Sequence, residues 1–425
     1  MQAFPDHFGV TSSPARLGFD AERLARITRH FDRWVDLGVL PGWSALVARH
    51  GEPVFAGHGG LRDLELGLPV EPDTLWRLFS MTKPVTSVAA MMLVEQGLLG
   101  LDDPVSDYLP EFCDLAVYAG GSPSSYRVHP AAQALKVAHL LSHTSGLTLG
   151  LAHMDPVDAL YRGAGHDVLP LPGTTLEQLC RDVARLPLLF EPGTAWNYSL
   201  SVDVLTRVIE VCTGEGLDQF LEKNVFGPLG MADTTFSLAP DRLTDLAEIY
   251  FPDPETGRLV VDQELRRTFR QSAEFPSGSG VPGLVSTMAD YHRFASMLVR
   301  EGELDGTRLL SPRALRLMTT NHLPGGGDLM SCARYPDEEH RGCGFGLGFS
   351  VMLDPVAAGS FGNRGEYGWS GAANTHFFVD PVDGVTAVFC TQVMTWGQRR
   401  IPIRRQLRSL VYQALTTTAH DRADH

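Results

Sequence analysis

The chain has 425 residues, of which 44% are hydrophobic and 20% charged, a composition typical of a globular protein long enough for two or three domains. Its formal net charge of -15 disfavours nucleic acid and anionic membranes as partners, because their phosphates would repel it. No apolar run reaches membrane-spanning length, and the first residues lack a basic segment followed by an apolar one, so the sequence predicts a cytoplasmic protein without a secretory signal.

The first part of the chain alternates helix and strand patterns. A helix is predicted to begin at Asp20, because apolar residues then recur at spacings of three and four. Two strand-like runs, 43–48 and 53–57, are separated by a tight turn. Residues 80–96 are predicted to form a second helix, and Gly97 just past its end is typical of a helix C-terminus.

The middle of the chain, roughly residues 98–282, combines helical patterns with many proline and glycine breaks. The glycine-rich segment 325–344 is predicted to be a mobile loop, and strand patterns follow it. Helices are predicted at 176–186, 200–213, 217–224 and 402–415. Strands are predicted at 345–353, 375–379 and 385–393.

This order of elements predicts an α+β fold. Strands near both chain ends would form one antiparallel sheet flanked by the terminal helices, with a large and mostly helical region inserted between them. We expect residues 1–79 and 283–425 to form the sheet domain and residues 80–282 the helical domain. A cleft between the two domains is then the expected place for a functional site.

The number and placement of cysteine and lysine residues limit the catalytic chemistry that the chain can perform. The six cysteines are scattered and none forms a C-x-x-C pair, so we expect free thiols, no metal site and no cofactor. Only three lysines occur, Lys83, Lys136 and Lys223, although lysine and arginine together number 35. Because a buried lysine can lose its proton and an arginine cannot, a lysine in this chain is a candidate for acid–base chemistry.

A serine and a lysine three residues apart stand at the start of the second predicted helix. On a helix, Ser80 and Lys83 share a face with their Cβ atoms about 5–6 Å apart, so the amine can approach the hydroxyl. A serine that only caps the helix would favour Glu or Gln three residues later, whereas a lysine there opposes the helix dipole. The dipole and burial favour the neutral amine, which can take a proton from serine. The residues therefore favour an activated nucleophile over a helix cap.

Two further segments can complete such a site. Tyr198 precedes a predicted helix and could relay a proton to a leaving group, although, taken alone, it is better explained as a buried tyrosine with a satisfied hydroxyl. The run from Tyr367 to Asn374 is rich in small residues and leads into a strand. A free backbone N–H there and the helix start at Ser80 could form an oxyanion hole, but the run could also be a simple glycine-rich bend.

Three short motifs, in order along the chain, resemble those of serine β-lactamases, penicillin-binding proteins and related esterases. They are S-M-T-K at 80–83, Y-S-L at 198–200 and W-S-G at 369–371, and S-x-x-K is a signature of that family. The resemblance covers nearly the whole chain, because framework segments of the family are matched at 101–105, 140–147, 191–193 and 283–290.

The resemblance implies a role for each matching residue. Ser80 would be the acylated nucleophile, and Lys83 would be the base that activates it. Tyr198 would be the second base and later the acid that protonates the leaving group. The backbone N–H groups of Ser80 and Ala372 would form the oxyanion hole.

Two departures from the usual motifs indicate one branch of the family. β-Lactamases and peptidases usually have Asn where this chain has Leu200, and Lys-Thr-Gly where it has Trp369, Ser370 and Gly371. Trp369 thus replaces a cation with an apolar ring, and Leu200 replaces an amide with an apolar side chain. These replacements imply that the four residues line a pocket for an uncharged acyl chain. The chain is therefore most similar to the family VIII carboxylesterases, which carry a Trp-x-Gly variant.

The sequence thus predicts an esterase that cleaves short-chain carboxylic esters through an acyl-serine intermediate, with a small-molecule ester as partner and a homo-oligomer as an open option. Three alternatives remain: a β-lactamase or D-amino-acid peptidase-type amide hydrolase, an acyltransferase that uses the same acyl-enzyme, and an inactive interaction protein. A Ser-His-Asp esterase is disfavoured because G-x-S-x-G is absent, so His143 and His376 lose their main catalytic argument.

Overall fold

The computed structural model describes residues 10, 12–150, 153–166, 174–270, 283–395 and 401–418. Its helices are α1 Ala21–Asp36, α2 Thr82–Glu95, α3 Val137–Leu141, α4 Pro156–Gly163, α5 Leu176–Ala184, α6 Ser201–Thr213, α7 Leu217–Leu221, α8 Gly227–Leu229, α9 Gln263–Arg270, α10 Met288–Val299, α11 Pro312–Met318, α12 Leu329–Cys332, α13 Pro355–Ala358 and α14 Ile403–Tyr412. Its strands are β1 Gly42–Arg49, β2 Glu52–Asp63, β3 Leu68–Pro69, β4 Trp76–Arg77, β5 Ala116–Ser122, β6 Ser125–Pro130, β7 Phe251–Pro252, β8 Leu259–Val260, β9 Val285–Ser286, β10 Glu303–Leu304, β11 Thr307–Arg308, β12 Cys343–Phe345, β13 Ser350–Met352, β14 Tyr367–Ser370, β15 His376–Asp380 and β16 Val385–Cys390.

The largest sheet has eight strands in the order β12-β13-β14-β15-β16-β1-β2-β3. All neighbours are antiparallel, and β1 near the start of the chain pairs with β16 near its end, with Ser44 opposite Cys390. This arrangement confirms the predicted α+β fold with a sheet built from both chain ends. The division into domains at residues 79/80 and 282/283 stays a prediction.

The two faces of this sheet are covered by different parts of the chain. On one face, α1 and α14 pack through Phe31 and Leu407, and the ring centroid of Phe31 lies 4.5 Å from that of Phe389. On the other face, α10 packs through Tyr291, whose ring centroid lies 5.1 Å from that of Phe377. The second core continues into α2 and α6, so the helical region and the sheet share one apolar interior.

Helix α2 lies in the middle of that second core. All of its residues from Thr82 to Leu93 are buried, as expected for a helix that is surrounded by other elements. It follows a 3-10 turn, Phe79–Met81, whereas the prediction began the α-helix at residue 80. Pro84 lies in the first turn, where its missing N–H leaves no hydrogen bond unmade, and Gly97 has the positive φ of a helix C-terminus.

Some secondary-structure predictions were wrong in detail. The strand predicted at 345–353 is two strands, β12 and β13, joined by a turn. The hairpin β5–β6 was missed because every residue of β6 is exposed, which removes the alternation of apolar and polar residues that identifies a strand. The predicted loop 325–344 contains α12 and a 3-10 turn, Glu338–His340, and is hydrogen-bonded to Trp196 through the backbone of Cys332 and Arg334.

Strand β14 has an open edge where it approaches α2. It pairs with β15 along its whole length, but with β13 only at Tyr367 and Gly368. From Trp369 onward, the edge that faces away from β15 therefore has no strand beside it among the described residues. Such an edge leaves backbone groups available to a ligand.

A cluster of carboxyl groups lies between the sheet and α14. The hydroxyl of Tyr412 lies 2.7 Å from Oε2 of Glu366 and 2.8 Å from Oδ2 of Asp380, and Nε of Arg408 lies 2.5 Å from Oε1 of Glu366. The hydroxyl has only one proton to share between the two carboxyl groups. Burial raises the pKa of both Glu366 and Asp380.

Candidate active site

Ser80 is accessible in a stretch of the chain that is otherwise closed to solvent. From Thr74 to Leu93 it is the only residue that is not buried. Nζ of Lys83 lies 3.2 Å from its Oγ, within hydrogen-bonding distance, and Lys83 is only 3% exposed. The structure therefore places a partly exposed serine within hydrogen-bonding distance of a buried amine.

The residue before Ser80 has an unusual backbone conformation. Phe79 has a φ of 48°, in the left-handed region that a bulky side chain rarely adopts. Its ring is fully buried against Ile249, Ala373 and Met394, and this packing holds the backbone in a conformation that is costly by itself. This strained residue directly precedes Ser80, the one residue of the stretch that is not buried.

Tyr198 comes from a different segment and lies beside Lys83. The centroid of its ring is 4.6 Å from Nζ of Lys83 and 4.8 Å from the centroid of the His143 ring. Its neighbour Asn197 donates a backbone hydrogen bond of 2.9 Å to the carbonyl of His143. These contacts fix Tyr198 between two groups that the helical region supplies.

Trp369, on β14, forms the centre of an aromatic wall. Its Nε1 lies 3.5 Å from the hydroxyl oxygen of Tyr198, at the outer limit of a hydrogen bond. The ring of His340 stacks on it with a centroid distance of 5.8 Å and an angle of 8°, and the ring of Phe345 meets it edge-on at 5.2 Å. Trp196 extends the wall, because its centroid lies 5.6 Å from that of Phe345.

Gly371 and Ala372 bring the end of β14 against the segment that carries Ser80. A Cβ on Gly371 would lie 2.3 Å from the carbonyl oxygen of Leu78, so only glycine allows this approach. Ala372 packs against the cluster that contains Phe79. The backbones of Ser80 and Ala372 therefore belong to segments in contact, as an oxyanion hole between them requires.

The other two predicted binding residues make different contacts. The hydroxyl of Ser370 is buried and lies 2.8 Å from Nδ1 of His376, on the side of β14 opposite to Trp369. Leu200 caps α6 and packs on the main apolar core. The structure thus brings Ser80, Lys83, Tyr198 and Trp369 together. The side chains of Ser370 and Leu200 make their contacts outside this group.

Four aromatic residues of the site were not identified from the sequence: Trp196, His143, His340 and Phe345. His143 lies inside a framework segment, and its proximity to Tyr198 has no signal in residue spacing. His340 and Phe345 come from the segment predicted as a loop and its end. Only Trp196, two residues before Tyr198, could have been inferred from its place in the chain.

The electrostatic surroundings of His143 keep the imidazole neutral. The side chain is 1% exposed, and burial, together with the positive charge of Lys83, holds the pKa of His143 well below its usual value. Its Nδ1 lies 3.2 Å from the hydroxyl of Ser199. A neutral ring at this position places no positive charge beside Lys83.

Metal-binding clusters and membrane-spanning helices are both absent from the described residues. Among them, no group of three or more His, Cys, Asp or Glu side chains is arranged to hold a metal ion. In the same part of the chain, every helix is too short or too polar to cross a lipid bilayer.

The chain is similar to known proteins in both sequence and structure. The family model described as Beta-lactamase matches residues 27–412. The chain is 33% identical over 419 residues to the esterase EstB of Burkholderia gladioli, covering 94% of this chain and 98% of the esterase. It is 28% identical over 356 residues to monacolin J acid methylbutanoyltransferase of Aspergillus terreus, covering 80% of this chain and 81% of that enzyme. A solved structure of EstCE1, "a hydrolase with promiscuous acyltransferase activity", matches with a TM-score of 0.75 and 30% identity over 92% of this chain and 99% of that one.

Proposed function

The chain belongs to the β-lactamase family, and from this membership we propose that it is a carboxylesterase that cleaves short-chain esters through an acyl-Ser80 intermediate. The observation that supports the proposal best is the accessible Ser80 hydroxyl with Nζ of the buried Lys83 at 3.2 Å. A nucleophile and its base at hydrogen-bonding distance are what covalent catalysis by serine requires.

The proposed reaction begins with the attack of Ser80 Oγ on the ester carbonyl carbon, while neutral Lys83 takes the hydroxyl proton. Negative charge develops on the carbonyl oxygen and is stabilised by the backbone N–H groups of Ser80 and Ala372. Tyr198 protonates the leaving alcohol oxygen as the C–O bond breaks, and the Lys83 ammonium returns a proton to Tyr198. Water then attacks the acyl carbon with the same groups acting as bases, and the acid is released.

The aromatic wall supports an ester rather than a β-lactam or peptide as substrate. Trp369 stands where β-lactam- and peptide-cleaving relatives are expected to place a cation for a carboxylate. Together with His340 and Phe345 it offers ring faces and edges, which favour an uncharged acyl or alcohol group. The esterase relative, which is similar over nearly its whole length, agrees with this choice.

Acyl transfer is the second candidate. The same acyl-Ser80 intermediate would be attacked by an alcohol in place of water, with Lys83 and Tyr198 removing the alcohol proton. Two relatives favour it, since one is named as a methylbutanoyltransferase and EstCE1 is described as having promiscuous acyltransferase activity.

The test is a paired assay with p-nitrophenyl butyrate and a chromogenic cephalosporin, on the wild type and on Ser80→Ala. We expect turnover of the ester only, and its loss by about 1,000-fold or more in Ser80→Ala, because removal of a nucleophile leaves only residual catalysis. Ser87→Ala, which changes the next serine of α2, is the matched control and should retain activity.

Each outcome of this assay has a distinct meaning. Undiminished ester turnover in Ser80→Ala would refute the mechanism. Fast cephalosporin turnover without ester turnover would refute the assignment as an esterase. Addition of an alcohol separates the second candidate, because an acyltransferase forms the new butyrate ester faster than free butyrate.

A further inference from the structure

A cavity of about 40 Å³ lies on the side of β14 that faces α14. Ser370 and His376 line it from the sheet, and Arg404 and Arg408 line it from α14. Trp369, the centre of the aromatic wall, also borders it. The cavity and the aromatic wall of the candidate active site therefore share two residues, Trp369 and His340.

His376 presents an unused hydrogen-bond acceptor at this cavity. Its Nδ1 lies 3.2 Å from the carbonyl oxygen of Trp369, which can only accept, so we assign the ring proton to Nδ1. Nε2 is then a lone-pair acceptor; it is buried and has no hydrogen-bond partner among the residues that the structure describes. His376 is 3% exposed, and burial with the charges of Arg408 and Arg404 holds its pKa well below the usual value, so the ring stays neutral.

The hydroxyl of Ser370 supplies the complementary group. Its oxygen lies 2.8 Å from Nδ1 of His376 and accepts that N–H, which leaves the hydroxyl proton for a second partner. The cavity wall thus offers one acceptor and one donor close together. A buried acceptor without a partner is unfavourable, so a group with a donor is expected to fill the space.

The charges around the cavity compensate each other. Arg404 is paired with Glu339 at 3.2 Å, and Arg408 with Glu366 at 2.5 Å, so two cations face two anions. A charged ligand would gain little here, and it would pay for desolvation. A neutral polar group is the better match.

The size of the cavity limits that group to a few atoms. A water molecule needs about 10–15 Å³ of such space, so about three water-sized groups fit. Two carbons and a hydroxyl oxygen, as in a hydroxyethyl group, have this size.

The position of the cavity relates it to one half of the substrate. In the proposed reaction Tyr198 protonates the leaving alcohol, and Nε1 of Trp369 lies 3.5 Å from the Tyr198 hydroxyl. Trp369 therefore borders both the leaving-group acid and the cavity. We propose that this cavity binds a free hydroxyl on the alcohol part of the ester, through His376 Nε2 and the hydroxyl of Ser370, so that esters of diols and glycerol are preferred substrates. This inference rests on the proposed esterase function.

The test compares two esters that share an acyl group, glycerol monobutyrate and propyl butyrate, in Ser80-dependent hydrolysis. The wild type is expected to have about a tenfold higher kcat/KM for glycerol monobutyrate, the effect of about one hydrogen bond. In His376→Phe, which removes the acceptor, the ratio of the two kcat/KM values is expected to fall to about one.

A second variant keeps the test independent of how well His376→Phe folds. Ser350 lies on the cavity wall on β13, and Ser350→Leu fills the space without touching the His376 hydrogen bonds. It is expected to abolish the preference as well. Thr386→Val is the matched control. The Thr386 hydroxyl is also buried and has no partner within the described part of the chain, but it does not line the cavity, so the ratio should stay at its wild-type value.

The outcomes separate the inference from the function on which it rests. A wild type that hydrolyses both esters equally well, or folded variants that keep the preference, would overturn the inference while the esterase assignment stands. Absence of Ser80-dependent hydrolysis of either ester would overturn the function itself, and the inference with it.

Discussion

The helix start that carries Ser80 and Lys83 and the wall around Trp369 are built in opposite ways. The first is a contiguous run in which a local helix turn sets the Oγ–Nζ distance of 3.2 Å and the surrounding residues are buried. The second is assembled from segments far apart in the chain, with Trp196, His340 and Trp369 meeting through ring contacts. Local geometry thus fixes the atoms that we propose to react, whereas tertiary packing forms the surface that we propose to meet the substrate.

This difference predicts different kinetic behaviour for variants of the two regions. Changes at the helix start should lower kcat and leave little activity with any ester. Changes in the wall should alter KM and the choice of substrate, because apolar contacts of this kind bind ground state and transition state alike.

The largest effect is expected at Lys83. Lys83→Arg should lower kcat by about 100- to 10,000-fold, nearly as much as Lys83→Ala, because arginine keeps the charge but cannot accept the proton. Lys136→Arg is the control, since Lys136 is a more exposed lysine paired with Asp102 at 2.7 Å. Substantial kcat in Lys83→Arg, measured with p-nitrophenyl butyrate, would mean that Lys83 supplies charge rather than acting as a base.

A smaller loss is expected at Tyr198. Tyr198→Phe keeps the ring contacts with His143 and Trp369 but removes the hydroxyl, so kcat should fall by about 100-fold with little change in KM. The deficit should shrink for esters with a good leaving group, such as p-nitrophenyl, relative to alkyl esters. An equal deficit for both kinds of ester would argue against a proton donor. Tyr126→Phe, on the exposed hairpin, serves as control.

The prediction for Trp369 concerns the aromatic wall rather than the helix start. Trp369→Ala should raise KM for p-nitrophenyl butyrate about tenfold and change kcat much less, because it removes a large apolar contact surface. Phe361→Ala, at an aromatic residue that is 70% exposed, should leave both parameters unchanged. A loss confined to kcat would show that Trp369 acts on the reacting groups, and the distinction between the two regions would fail.

The smallest effect concerns the carboxyl cluster on the far face of β14, which should influence stability rather than catalysis. Because the pKa values of Glu366 and Asp380 are raised by burial, the folded protein holds protons that the unfolded chain has released. Stability should therefore fall as pH rises from the ordinary range of carboxyl groups through the raised values, by at most about 1.4 kcal/mol per pH unit for each proton.

Urea unfolding at several pH values measures this slope. Asp380→Asn, whose amide resembles a protonated carboxyl group, should flatten it. A slope that is unchanged in the variant would assign the pH dependence to other groups. Catalytic constants for p-nitrophenyl butyrate at a fixed pH should be the same in both proteins, since Asp380 lines neither the aromatic wall nor the cavity beside Ser370.

Much of the fold could be predicted from the sequence because its elements carry local signals. Asp20 accepts a hydrogen bond from the backbone of Arg23 as a helix cap should, and Gly97 ends α2 with a positive φ. The hairpin β5–β6 could not be found, because strand prediction needs a buried face and β6 has none. The split of 345–353 into two strands was also missed, because both halves are apolar and no change in polarity marks the turn between them.

The candidate site divides in the same way. The approach of Lys83 to Ser80 follows from a spacing of three on a helix. The contacts of Tyr198 with Lys83 and Trp369 agree with the order of the motifs, but no distance could be derived from it. The stacking of His340 on Trp369 could not be predicted, because no sequence periodicity relates these two residues. The left-handed backbone of Phe79 could not be predicted either, because only glycine indicates a positive φ in a sequence.

The pairing of β1 with β16 has a consequence for how the enzyme is made. During synthesis Ser80 and Lys83 leave the ribosome early, whereas β14, β15 and β16 come from the last part of the chain. The sheet cannot close, and the oxyanion segment cannot reach the serine, until that last part has emerged. Nascent and prematurely terminated chains therefore carry Ser80 without β14, so under the proposed mechanism the serine becomes reactive only when the end of the chain has joined the sheet.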